Sequence, residues 1–188
     1  MDVILQRGDK EKLLGQKGIA IWMTGLSGSG KTTIGSALEK KLYGAGLLTQ
    51  ILDGDIVREG INRGLGFSDA DRKENIRRIA EVTKLFVNCG VITICCFVSP
   101  TEEIRSIAKS IIGDEDYLEV FVNASLDVCE QRDVKGLYAK ARKGEIKDFT
   151  GIGSVYETPL NPQIELKTNE LSIDSCVDII MEHLNKRK

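Results

Sequence analysis

The sequence predicts an α/β fold: a central five-stranded parallel sheet with helices on both faces. Three observations predict it. Apolar strand-like runs alternate with helical segments of about ten to twenty residues, the pattern of βαβ units with right-handed crossovers. One run, Val91 to Val98, is apolar but for Thr93, as in a strand buried on both faces. Finally, Gly25-Leu26-Ser27-Gly28-Ser29-Gly30-Lys31-Thr32 fits the phosphate-cradle pattern G-x-x-x-x-G-K-[ST] without a mismatch. The apolar run Ile19 to Met23 precedes that loop, and Ile34, Ala37, Leu38 and Leu42 follow it at helical spacing.

Composition narrows the class. A chain of 188 residues with 41% hydrophobic content suits one domain with a real core. Balancing 26 basic against 28 acidic residues gives a net charge of −2, no global field for holding nucleic acid or a membrane surface. Cys89, Cys95, Cys96, Cys129 and Cys176 have no metal-ligand spacing and no C-x-x-C, and so read as buried thiols kept free in a reducing compartment. No signal-like or membrane-length apolar run is present, so a cytoplasmic location is expected.

In chain order, residues 1–18 carry Arg7, Asp9, Lys10, Glu11, Lys12 and Lys17 with little periodicity and read as a polar arm before one domain, 19–188. The helix after the cradle stops near Tyr43 to Gly46. A second strand, Leu47 to Leu52, runs into Asp53-Gly54-Asp55, and a glycine-rich loop with an isolated Phe67 covers Ile61 to Ser68. Asp69 to Asn88 is helical, with Ile76, Ile79, Ala80, Thr83, Phe86 and Val87 on one stripe and Gly90 as its stop. Val91 to Val98 is the central strand. A helix over Thr101 to Ile112, a strand over Tyr117 to Val122, a helix from Ser125 to Arg132, a strand over Ile164 to Thr168 and a last helix capped by Ser172 or Asp174 follow. Asn185 to Lys188 is a solvated basic tail. Between them, residues 133–157 have no strand and hold Lys135, Lys140, Arg142, Lys143 and Lys147, which favours a basic lid.

The chemistry collects off the carboxyl ends of the strands, where open parallel sheets bind ligands. Lys31 neutralises outer phosphates, and the Thr32 hydroxyl is placed to ligate Mg²⁺. If the chain stays extended, Asp53 and Asp55 point the same way and share a metal's water shell; the other reading is turn chemistry. Arg58, Arg72 and Arg78 are either forks for a second anion or helix-face charges with i, i+4 partners. Phe67 and Phe149, in polar loops, are candidates to stack on a base. Ser99 should line the site without carrying a phosphoryl group. The single histidine, His183, is remote in sequence, and no acid or lysine follows Ser99 until Glu102.

These motifs together resemble the adenylylsulfate (APS) kinase family. The resemblance rests on Gly25 to Thr32, Leu52 to Arg58, Gly64 to Ser68, Asp71 to Arg78, Ser99-Pro100, Val128 to Asp133, Lys135 to Tyr138 and Phe149 to Ile152, and runs from about Gly15 to the C-terminus. It implies a P-loop kinase three-layer sandwich, usually homodimeric, that phosphorylates the 3′-hydroxyl of adenylylsulfate with Mg·ATP. By similarity, Gly25, Leu26, Ser27, Gly28, Ser29, Gly30, Lys31, Thr32 and Thr33 bind ATP. Arg132 lies against its adenine, and Arg142 is a candidate for transition-state charge. Asp53, Arg58, Arg72 and Asn75 hold adenylylsulfate, Phe67 and Phe149 sandwich its adenine, and Lys147, Thr150, Gly151 and Ile152 add lid contacts. Asp55 orients or deprotonates the 3′-hydroxyl and meets the Mg²⁺ of Thr32 through water. A functional link to an ATP sulfurylase is a further implication. The chain departs from the family at Gly153-Ser154-Val155, where two acids and a proline are usual, and at Ala139, often lysine. A sugar or nucleoside kinase and a nucleotide-dependent switch share the cradle; Phe67, Arg72, Asn75 and Phe149 discriminate against both.

Overall fold

The computed structural model describes residues 4–187; the first three residues of the expected arm and Lys188 of the basic tail lie outside them. The elements are α1 (Arg7–Leu14), β1 (Ile19–Thr24), α2 (Lys31–Gly44), β2 (Thr49–Asp53), α3 (Gly54–Glu59), α4 (Asp69–Asn88), β3 (Ile92–Cys96), α5 (Glu102–Ile112), β4 (Tyr117–Asn123), α6 (Leu126–Arg132), α7 (Leu137–Arg142), β5 (Ile164–Lys167) and α8 (Ile173–Asn185). Every pairing in the five-stranded sheet is parallel, in the order β2-β3-β1-β4-β5. The middle strand is therefore β1, with the cradle at its carboxyl end. β3, expected as the central strand, is interior beside it.

Alternation along β1 divides the core. Ile21 and Met23 face Ile34, Leu38 and Leu42 of α2 and Val177 and Ile180 of α8. Ala20 and Trp22 face Ile76, Ile79 and Ala80 of α4 and Ile104 and Ala108 of α5. Two apolar faces on one sheet require helices on both sides, which gives three layers. Packing on the α2 side is close: a Cβ on Gly35 would stand 2.9 Å from Cys96 Sγ.

The helix ends follow from local chemistry. Ser68, Thr101, Ser125 and Ser172 cap α4, α5, α6 and α8 through side-chain oxygens that accept main-chain N–H groups. Gly46, at φ +79°, closes α2: its N–H donates to Tyr43 O at 2.9 Å, and Leu47 N–H donates to Leu42 O at 3.0 Å.

Four expectations are corrected. Cys89, expected with the buried thiols, is exposed at the C-terminal cap of α4, while the other four cysteines are buried. The polar arm contains a helix, α1, docked by Arg7 on both carboxylate oxygens of Asp116 and on Gly18 O. The lid is not wholly irregular: α7 forms where Tyr138 and Ala141 find a buried face, and Asp133 accepts from the N–H groups of Tyr138 and Ala139. The chain does not stay extended past Asp53, because Asp53 caps α3 by accepting from Asp55 N–H at 3.0 Å.

Candidate active site

β1 delivers the loop and α2 carries it away, so the cradle sits over the middle of the sheet. Gly25, at φ +153°, is where the strand leaves its plane, and a Cβ there would lie 2.4 Å from Val122 O. Only glycine passes that point. The first N–H groups of α2 lack intrahelical acceptors by construction and present a positive end. They open on a cavity of about 460 Å³ lined by Ser27 to Ile34, Asp53 to Asp55, Arg132 to Lys135, Tyr138 and Thr168. Thr33 lies on its wall, while Gly25 and Leu26 stand behind the lining and accept from Lys31 through their carbonyls.

Each charged group of the cavity is held by a specific partner. Lys31 Nζ donates to Gly25 O and Leu26 O, both at 2.8 Å, and burial pushes its ammonium down to about 8. A buried ammonium over a ring of N–H groups is matched to polyanionic phosphate. Ser29 Oγ is buried without a partner, a further polar group inside the loop. Thr32 Oγ1 donates to Asp53 Oδ2 at 2.7 Å. Asp53 therefore sits directly beside Thr32, with Asp55 on the same cavity wall. Asp55 is more exposed and pairs with Lys135 from the lid. Arg132 donates to Gly28 O, Ser29 O and both oxygens of Thr168, bracing the loop from α6.

A second group of expected residues lies on α3, α4 and the turn between them. Arg58 donates to Leu65 O and Gly66 O, its guanidinium carbon lies 4.4 Å from the Phe67 ring centroid, and burial lowers its pKa. Arg72 donates to Phe67 O, to Thr150 Oγ1 at 2.8 Å and to Asp148 O, tying α4 to the lid. Asn75 is buried one turn further along α4. Gly151 packs against Leu26 of the phosphate loop, where a Cβ would lie 3.2 Å from the leucine side chain, and Ile152 packs nearby. Asp55 and Arg58, three residues apart on α3, carry the helix from the phosphate cavity, which Asp55 lines, to the Arg58–Phe67 contact.

Some expected residues are placed differently. Phe149 is not a lone exposed ring: it is half-buried and edge-on to Tyr138 at 5.0 Å, in the small apolar core that seats the lid. Arg142 pairs with Glu130 and does not line the phosphate cavity. Arg78 takes its helix partner Glu74. Lys147 is exposed. Ser99 does not line the site. It is buried at φ +42°, its Oγ accepting from Trp22 Nε1 at 3.1 Å and its carbonyl from Arg105 of α5 at 3.0 Å. Tyr138, which donates to Ser27 O, and Thr168, which donates to Ser29 O, are braces with no signature in the sequence. Among the described residues no cluster of three His, Cys, Asp or Glu side chains is poised for a metal, and no helix is long and apolar enough to cross a membrane.

A family model described as adenylylsulphate kinase matches residues 17–167. The chain belongs to the adenylylsulfate kinase family. The adenylyl-sulfate kinase of Bacteroides thetaiotaomicron is 58% identical over 181 residues, covering 96% of this chain and 90% of the relative. The one from Clostridium acetobutylicum is 53% identical over 184 residues, covering 98% and 92%. Among solved structures, the APS kinase CysC of Mycobacterium tuberculosis in complex with AMPPNP and APS superposes with a TM-score of 0.87 at 44% identity, covering 90% of this chain and 99% of that one. The fold of the family, a P-loop kinase sandwich on a parallel sheet, is the fold of this chain.

Proposed function

We propose that this protein transfers the γ-phosphoryl group of ATP to the 3′-hydroxyl of adenylylsulfate, giving 3′-phosphoadenylylsulfate and ADP. The observation that carries the reading is the position of Asp55. It lies on the wall of the phosphate cavity and one helical turn from Arg58, so a hydroxyl of a substrate held by Arg58 meets a carboxylate and the γ-phosphate together.

Phosphoryl transfer needs positioning and charge neutralisation more than covalent chemistry. The loop amides and Lys31 cradle the β- and γ-phosphates, and Arg132 keeps the loop rigid beneath them. Arg58, Arg72 and Asn75 hold the anionic end of adenylylsulfate, while Phe67 on one side and Phe149 from the lid present faces to its adenine. Asp55 accepts the 3′-hydroxyl proton as that oxygen attacks in line; Lys135 leaves it for the incoming phosphates. Thr32 and Asp53 together form an oxygen donor set that would hold Mg²⁺, which would supply neutralisation of phosphate charge. Transfer is direct: Ser99, enclosed and hydrogen-bonded to Trp22, has no path to the phosphate and no base beside it. Lid residues Lys147, Thr150, Gly151 and Ile152 close over the acceptor and exclude water. The resemblance adds a homodimer, a cytoplasmic location and work beside an ATP sulfurylase to this proposal.

An ADP-release assay over a panel of hydroxyl acceptors tests the function. Turnover should depend on adenylylsulfate; equal release with a sugar, or with no acceptor, overturns the reading.

A further inference from the structure

Asn62, in the turn between α3 and α4, is wholly buried. Its main chain is committed to the turn: the N–H donates to Val57 O at 2.9 Å, and the C=O accepts from Leu65 N–H at 3.1 Å. The side chain is left over for something else. Its Nδ2 lies 2.9 Å from Asn75 Oδ1 and 3.4 Å from Asn75 O. A main-chain carbonyl can only accept, so the Asn62 atom facing it is the amide nitrogen. The Asn75 atom facing that nitrogen is then the amide oxygen. Two groups that are nearly alike in shape are thus given one order, and Asn75 Nδ2 is turned away from the turn. Among the described residues Asn75 Nδ2 has no acceptor, yet it is not sealed inside, whereas Asn62 Oδ1 is buried with no partner at all. Arg72 stands three residues earlier on the same face of α4.

We infer that Asn62 is a positioning residue for substrate binding, which locks the Asn75 amide so that the substrate is offered an N–H donor and not a carbonyl acceptor. The donor suits an anionic oxygen of the phosphosulfate group, beside the guanidinium of Arg72. The inference rests on the adenylylsulfate reading. Leucine of nearly the same shape would remove the orphaned oxygen at Asn62 but also the donor to Asn75 Oδ1, two effects on stability that oppose each other. Stability and substrate affinity are therefore expected to part company when Asn62 is changed.

The test measures steady-state kinetics and melting temperature together. Asn62→Leu should raise KM for adenylylsulfate about tenfold, the loss of one oriented bond to a charged group, with KM for ATP within about twofold of wild type and a melting temperature within about 3 °C of it. In an Asn75→Ala background the same change should add less than about twofold, since the group it orients is gone. Asn75→Asp keeps the Asn62 partnership but presents a carboxylate oxygen, so it should weaken adenylylsulfate more than Asn75→Ala does. Equal effects on both substrates, or a full Asn62→Leu effect in the Asn75→Ala background, would overturn the inference. If Asn62→Leu does not fold, Asn75→Asp decides: binding of adenylylsulfate as tight as in wild type overturns it. A wild-type enzyme that ignores adenylylsulfate overturns the function and this inference together. A normal wild type beside an unaffected Asn62→Leu overturns the positioning alone.

Discussion

At the scale of the residue, Lys31 shows how the site stores its readiness. Burial lowers its pKa from 10.5 to about 8, so between those values the unfolded chain holds a proton that the folded one lacks. Stability should therefore rise with pH through that window as far as this group is concerned. Phosphates entering the loop favour the ammonium and reverse the shift, so nucleotide binding takes up a proton there, and affinity falls as pH climbs above about 8. Titration calorimetry with a non-hydrolysable ATP analogue at about pH 8.5, in two buffers of different ionisation enthalpy, reads this directly. Net uptake is expected in wild type and none in Lys31→Met. Absence of uptake in wild type would mean that Lys31 does not meet the phosphates. Ser99 marks the limit of reading single residues: its place after an apolar run was visible, but the inward turn at φ +42° that gives its hydroxyl to Trp22 was not.

At the scale of the element, the parts that can be read from the sequence are those whose signals are local. The six-residue apolar stripe and Gly90 define α4 from Asp69 to Asn88 as the structure has it. The arm and the lid were obscure because their helices are fixed from a distance, α1 by Asp116 and α7 by a buried face shared with Phe149. Where the lid ends, its attachment is also long-range. Tyr156 OH lies 3.0 Å from Thr24 Oγ1, whose own proton goes to Val98 O at 2.8 Å, so the phenol is the donor. Its ring stacks on Phe121 at 6.1 Å, and burial pushes the phenol up to about 12, keeping it protonated. Tyr156→Phe keeps the ring and loses the bond, at a cost of about 0.5–1.5 kcal/mol. The lid should then be cut faster by trypsin at its basic residues, and KM for adenylylsulfate should rise a few-fold with KM for ATP unchanged. Cleavage at the wild-type rate would show that the lid is anchored elsewhere.

At the scale of the whole molecule, the cradle was legible because its eight positions are contiguous, whereas the pairs Asp55–Lys135 and Arg72–Thr150 join segments that only the fold brings together. The same topology governs how a ligand acts on stability. β1 supports both apolar layers, with Met23 in one and Trp22 in the other, and the cradle is its direct continuation. Nucleotide bound there is coupled to both halves of the core, so 19–188 should melt as one unit. At a concentration of about 100 Kd, binding adds about 2.7 kcal/mol, which for a chain of this size raises the melting temperature by about 5–10 °C. Calorimetry and the fluorescence of Trp22, the single tryptophan, should report the same rise. In Lys31→Met the rise should shrink to a degree or two, while the free protein melts no lower, since a desolvated ammonium has been removed. A heat trace that splits into two transitions, of which only one follows Trp22, would break the single-domain reading and confine the ligand's effect to one layer.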